Sequence, residues 1–497
     1  PRRCPMSNHP HSWRGACLLL ALAVPASAFA AVEEIPLTTQ SADARLAFRA
    51  GQAALDRGDG QAANDLFRTA VAADPDFTYA WYNLSNVTFS TEEFDAALRG
   101  GERGAARASE GERMLLEFNK LFLTNDFNAQ LEIAQQLTQK YPKSPRAWLL
   151  LAAAQGALNK FADQRATIEK VMALAPDFSP APFALAASYL FNDPKDFTKA
   201  EKYYRKAIDL APGNDTYYWS LGDVYRGSNR LEEARRYYKL ALQLDPKDLI
   251  TPVKLGHVNS FLGNFDEARA DYDRGLNAAG PANAGFLAPF KCLTHVYAGE
   301  PAKAIASLEK LVPEIDSFGA APDQRNNAKV FALTTAAQIA MFSGLYDDAE
   351  RVLTNRSVLM RENAKVVGTE KFTNIQESQI AFFDAQLAAW RGDYKTAATL
   401  AKKNAELVAK ENNPRKAEPY HEVMGLIELR RKNYKKAVAE YRQSDLTQLH
   451  NKYQLAEALS GTGQKDEALK LYKEVSVNNF NTVDFALLRS PALRKAG

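Results

Sequence analysis

The chain repeats itself with a period of about 34 residues. From Asp215 it reads Tyr218, Leu221, Gly222, Tyr225, then Leu231 and Ala234, then Tyr238, Ala241 and Asp245-Pro246. The same frame runs from Pro145 with Trp148, Leu151, Ala152, Phe161, Val171 and Pro176, and from Leu249 with Leu255, Gly256, Gly263, Phe265, Ala268 and Tyr272. Prolines 142, 176, 212 and 246 close successive units at spacings of 34, 36 and 34 residues. The two extra residues fall in Phe191-Asn192-Asp193-Pro194-Lys195, a lengthened turn. Each unit starts with apolar residues at i, i+3, i+4 and i+7, the stripe of an amphipathic helix. Gly222 and Gly256 let a second helix come close, Ala234 and Ala268 do so from the other side, and Tyr238 and Tyr272 fill the gap. Pro246 then stops the second helix. One hairpin of this size cannot bury its apolar face alone, whereas stacked neighbours can.

This pattern resembles the tetratricopeptide repeat, or TPR, in its large residue, Leu-Gly, aromatic, Ala, aromatic, Ala and Pro positions. The resemblance implies an all-α fold, an α-solenoid of stacked helix-turn-helix repeats wound into a right-handed superhelix. It also implies that first helices line a concave groove through their second, fifth, ninth and twelfth positions. Carried onto this chain, those positions give Tyr79, Tyr82, Asn86 and Phe89, then Arg146, Phe183, Trp219, Asp223, Arg226 and His257. Such a groove is apolar and aromatic, rich in the residue types that anchor interfaces. An extended peptide or a partner helix with apolar side chains would suit it. Trp219 and Tyr82 are the two side chains expected to be exposed there. Some relatives clamp a C-terminal carboxylate with Lys, Asn and Arg. Here Phe48 and Gln52 stand at the first clamp positions, only Asn83 matches, and Glu112 opposes the charge, so that mode is disfavoured.

Residues 44–280 hold the regular array and 281–476 a degenerate one. In the latter, Gly299, Gly344, Gly392 and Gly463 keep the turn while the first helices lose the pattern. Asp316 to Asn327 and Arg356 to Glu377 fall outside the frame and read as linkers. Residues 477–497 are apolar enough to cap the last repeat, as the end of a solenoid requires.

Residues 1–30 read differently. Arg14, an apolar run from Ala16 to Val24 and the exit Ala26-Ser27-Ala28-Phe29-Ala30 form a secretory signal peptide pattern, with Met6 as its expected start and 31–43 as a linker behind it. The run is too short to span a bilayer. An exported chain, periplasmic or secreted, is the expectation. Removing the three arginines of that stretch from 62 basic residues balances them against 59 acidic ones, which argues against a nucleic-acid or anionic-lipid partner. Arg99, Arg103 and Arg107 alternate with Glu102, Glu110 and Glu112, as on a solvated helix face. Cys292 is left as the one cysteine beyond the leader, so no internal disulfide is expected.

Nothing in the motifs suggests a catalyst or a cofactor. Cys292 and His295 lack the second ligand pair that zinc needs. Gly461-Thr462-Gly463 follows no strand and sits at a repeat turn, so it is no phosphate loop. The expected function is an exported scaffold for protein–protein interaction. The alternatives are an accessory factor of an envelope assembly or export complex, and an enzyme or small-ligand binder with a pocket in the C-terminal half. Oligomeric state is not encoded legibly.

Overall fold

The computed structural model describes residues 35–88, 91–124, 126–192, 194–248, 250–278, 280–320, 322–410 and 415–497. The stretch expected to be a signal peptide and Phe89 lie outside the described residues. Among those described, the chain is all helix and turn, without a strand.

The helices come in antiparallel pairs. The first three are α1 (Ala42–Asp56) with α2 (Gly60–Ala73), α3 (Thr78–Ser85) with α4 (Thr91–Gly104), and α5 (Glu110–Thr124) with α6 (Phe127–Lys140). Next come α7 (Pro145–Ala157) with α8 (Phe161–Leu174), α9 (Pro180–Phe191) with α10 (Phe197–Leu210), and α11 (Asp215–Gly227) with α12 (Leu231–Leu244). Then follow α13 (Ile250–Leu262) with α14 (Phe265–Ala278), and α15 (Gly280–Tyr297) with α16 (Pro301–Glu314). After a short 3₁₀ turn come α17 (Pro322–Phe342) with α18 (Tyr346–Val367), and α19 (Glu370–Arg391) with α20 (Tyr394–Leu407). The chain ends with α21 (Glu418–Arg430) and α22 (Tyr434–Tyr441), α23 (Leu449–Gly461) and α24 (Lys465–Ser476), and a final α25 (Val483–Ala496). Each helix packs on the next along the chain, which makes an all-α solenoid of helical repeats.

The register follows the residues that repeat. A Cβ placed on Gly222 would lie 2.5 Å from the Tyr238 ring, and one on Gly256 would lie 2.7 Å from Tyr272, so the missing side chain is what brings the paired helices together. Gly51 against Phe67 and Gly425 against Tyr441 repeat the contact. Most of the described hairpins turn through one left-handed residue. Gly263, Gly299, Gly344, Gly392 and Gly463 supply it by lacking a Cβ, and Asn159, Asn229 and Lys432 supply it elsewhere. A further device ties successive units: Trp81 Nε1 donates to the Pro75 carbonyl, Trp148 Nε1 to Pro142, and the Tyr218 hydroxyl to Pro212. The aromatic at the fourth position thus satisfies the carbonyl of the proline that closed the previous repeat.

Two expectations need correction. The out-of-frame stretch from Arg356 to Glu377 is no linker, because α18 and α19 extend to 22 residues each and consume it. Half of the other such stretch, from Pro322 to Asn327, likewise enters the 21-residue α17. Long amphipathic helices hide the period because their extra turns add residues without adding a hairpin. Glu112 is the other case. It is buried, not on a solvated face: its carboxylate accepts from the Ser109 and Thr38 backbone N–H groups and from the Thr38 hydroxyl. With Ser109 it forms a capping box at the start of α5 and pins residues 35–41, in the stretch expected to be a linker, onto the array. Ile35 is buried beside it.

Candidate functional site

First helices of the opening six repeats surround a cleft of about 680 Å³. Tyr79, Tyr82 and Asn86 come from α3, Phe118 and Asn119 from α5, Arg146, Leu149 and Ala153 from α7, Phe183 from α9, and Thr216 and Tyr217 from α11. These first helices present their amphipathic stripe to the second helices and leave the opposite face to the cleft. Tyr79 stacks at a tilt on Phe48, with ring centroids 4.9 Å apart, and Phe183 stacks on Tyr217 at 5.0 Å. The aromatic wall is thereby held rigid.

One end of the cleft is closed by the turn after α1. The Asp56 carboxylate takes the Arg146 guanidinium at 2.6 Å, and the Asp56 carbonyl accepts from the Ser179 hydroxyl at 2.9 Å. Gly58, left-handed with φ of 81°, lies flat on the Asn214 side chain, where any Cβ would collide. Arg146 also covers the Phe178 ring, 5.2 Å from its centroid. The Asp56–Arg146 pair is neutral as a unit, so the walls offer aromatic surface and carboxamides. Tyr82 is buried, contrary to expectation, and burial pushes its hydroxyl up to about 12. Tyr82 still forms part of the wall.

The second half of the expected groove is already occupied. Residues 478–482, between α24 and α25, cross the inner face of α11, α13 and α15. Arg226 donates to the Asn479 carbonyl at 3.0 Å, while the Asn479 carboxamide donates back to the Arg226 carbonyl at 2.8 Å. Phe480 lies under the same guanidinium. Asn481 donates to the Tyr272 hydroxyl and accepts from the Tyr297 hydroxyl, and its carboxamide also meets His257 Nδ1 at 3.0 Å. The strap continues into α25, whose Arg489 donates to the Phe261 carbonyl.

Asp223 and Arg226 are therefore buried, and His257 is half-buried, beneath the chain's own tail. Asp223, 5 % exposed, is the hub. It accepts from Arg226, Lys254 and the Tyr238 hydroxyl. Burial alone would raise the Asp223 carboxyl, but the two cations hold it below the usual range. His257 is held well below its ordinary value by burial and by the neighbouring Arg226 and Lys254, so it stays neutral. Trp219, expected to be exposed, is half-buried under Lys254, whose ammonium sits 4.2 Å from the ring. Local spacing predicts only that these four residues share a face of their helices. It carried no signal that a segment some 250 positions downstream covers three of them.

In the C-terminal half a pocket of about 470 Å³ lies between α18, α19 and α20. The Arg361 and Arg391 cations on its wall are tied to Glu377 and Glu350. Elsewhere in that half His450 bridges two buried carboxylates, with Nδ1 at 2.7 Å from Asp484 and Nε2 at 3.0 Å from Glu422. Both ring nitrogens are thus engaged in fastening α25 and α21 to α23. Cys292 is buried and unpaired, its thiol pushed up to about 11 by burial. Among the described residues, no cluster of three or more His, Cys, Asp or Glu could hold a metal, and no helix is long and apolar enough to cross a membrane.

A family model described as tetratricopeptide repeat matches residues 48–112 and 195–248. Those two stretches are similar to tetratricopeptide repeats and lie within the helical solenoid. No curated protein matches it. Among solved structures, MamA from Desulfovibrio magneticus is 17% identical, over 35% of this chain and 96% of its own, with a TM-score of 0.30. Yeast Tom70 aligns over 91% of this chain and 88% of its own, at 16% identity and a TM-score of 0.32. A tetratricopeptide repeat protein from Parabacteroides merdae covers 56% of this chain and 98% of its own, at 17% identity and a TM-score of 0.35.

Proposed function

We propose that the protein is an exported scaffold that holds a protein partner through the aromatic cleft between α1 and α11. The observation that carries this reading is the cleft itself: about 680 Å³, walled by Tyr79, Tyr82, Phe118, Phe183 and Tyr217 and open to solvent on the exposed Ala153. Rigid aromatic surface of this kind holds apolar side chains of a partner at little entropic cost. The strap restricts docking to the first six repeats, so the partner presents a short apolar segment and not one that runs the length of the solenoid. Export is supported by the leader pattern of the first thirty residues, and a periplasmic or secreted location follows from it.

The test is crosslinking and recovery of the full chain from its own host, by cell fraction. Ala153→Trp fills the cleft from an exposed position with little strain on the core. Val366→Ala, on an 85 % exposed side chain of α18, is the control. The partner should be lost with the first and kept with the second, in the fraction outside the cytoplasm. Equal recovery with both variants rules out the cleft as the docking site.

A further inference from the structure

Another pocket, of about 690 Å³, opens where the C-terminal ends of α21, α23 and α25 come together. Trp390, Leu426, Leu429 and Tyr472 give it an apolar wall. Three cations also line it, Arg430, Lys432 and Lys495, and all three are exposed. Elsewhere in this half Arg361, Arg391, Arg415 and Arg442 are each tied to a carboxylate. Arg430, Lys432 and Lys495 make no ion pair with any described residue; Arg430 only covers the Trp390 ring, 4.9 Å from its centroid.

Two further polar groups in the lining are open. Glu457 is half-buried and accepts no hydrogen bond from a described residue, yet its oxygens are not sealed from solvent. Burial raises its carboxyl, and Lys495 and Arg430 pull it part of the way back through space, without an ion pair to either. Gln454, 4 % exposed, accepts from the Tyr441 hydroxyl at 2.8 Å through Oε1 and keeps Nε2 unpartnered and unsealed.

Opposite charges that line one pocket without touching select a ligand that carries both signs. A lone anion would set a like charge near Glu457, and a lone cation would meet three others. An uncharged apolar ligand would strip water from these groups and pair none of them, which is costly. A zwitterion answers every one: its ammonium donates to Glu457, and its carboxylate accepts from the cations and from Gln454 Nε2. The volume is that of a drug-sized ligand, enough for two or three residues and more than a single amino acid needs.

We propose that this pocket binds a short free peptide of apolar residues, with its terminal ammonium on Glu457, its terminal carboxylate on Arg430, Lys495 and Gln454, and its side chains on Trp390 and Leu429. The site is separate from the aromatic cleft and does not depend on a partner docking there.

The experiment is calorimetric titration of the full chain with the dipeptide Leu-Phe, with N-acetyl-Leu-Phe, which lacks the ammonium, and with Leu-Phe-amide, which lacks the carboxylate. The free dipeptide should bind, and each cap should weaken it about tenfold or more. Glu457→Gln should weaken Leu-Phe about tenfold and N-acetyl-Leu-Phe not at all, with the helical circular dichroism of the parent retained. Lys495→Gln, at an exposed position of the last helix, should weaken Leu-Phe about threefold or more and leave Leu-Phe-amide unchanged. Val366→Ala, remote from the pocket on α18, should bind all three as the parent does. No binding at millimolar Leu-Phe, or equal binding of the three compounds, overturns the proposal. So does a Glu457→Gln variant that binds Leu-Phe like the parent, since the dipeptide then sits elsewhere.

Discussion

Gly222→Ala should destabilise the array although it adds a single methyl group to a helix. The new Cβ would sit 2.5, 2.7 and 3.2 Å from three carbons of the Tyr238 ring, where unstrained carbons lie about 3.5–4 Å apart. The ring must therefore move by about 1 Å, and it has no room to do so because Tyr238 is fully buried. Overpacking of this kind costs about 1–3 kcal/mol. Movement also stretches the 2.7 Å bond from the Tyr238 hydroxyl to Asp223, a bond to a charged group with a net contribution of about 1.5–3 kcal/mol. Against this, alanine in place of glycine in a helix returns about 1 kcal/mol. The net expectation is a loss of about 2–4 kcal/mol, centred on α11 and α12. A solenoid need not melt in two states, so the assay is amide hydrogen exchange along the chain, with urea denaturation as the global readout. Tyr238→Phe isolates the hydrogen bond without the clash. Gly60→Ala, where nothing lies within 4 Å of the new atom, should be neutral or slightly stabilising. Protection of α11 and α12 in Gly222→Ala equal to that in Gly60→Ala would refute the assigned packing.

The attachment of α25 should depend on pH from both sides. Burial on its own would lower His450, but the Asp484 and Glu422 carboxylates hold it well above its ordinary value. Its contribution is therefore complete below about pH 6.5 and is lost as pH rises through the elevated folded value. Asp484 is depressed despite its burial by the same pairing, so its contribution is present above about pH 4 and fades as pH falls through the folded value. Hydrogen exchange of α25 should be slowest near pH 5 to 6 and faster at pH 9, after correction for intrinsic exchange; a flat profile excludes the pairing. Replacing the strap residue, Asn479→Ala, removes the carboxamide's bonds to the Arg226 carbonyl and to Asn229 and forces alanine into a left-handed backbone with φ of 54°. That should cost about 2–4 kcal/mol locally and open residues 477–482 to limited proteolysis, whereas an unchanged cleavage rate would show that the strap is held by other contacts.

The hairpins were legible because their determinants are local. Gly222, Ala234 and Tyr238 lie within one repeat, and their spacing alone dictates which faces meet. The same holds for the turn positions and for the aromatic wall built from Tyr79, Tyr82 and Phe183. Helix length in the C-terminal half was hidden, since α17, α18 and α19 add turns without changing the character of their stripe. The functional surface was legible only in part. Arg146 and Asp223 both stand at groove positions of their helices, the second and the ninth, yet one faces an open cleft and the other lies under the tail. Contacts spanning 161 residues, from Tyr217 to Asp56, and 253 residues, from Arg226 to Asn479, decide that difference. Periodicity determines which way a side chain points from its own helix. Only the curvature of the whole stack determines what it meets there, because small rotations between repeats accumulate until distant parts of the chain touch.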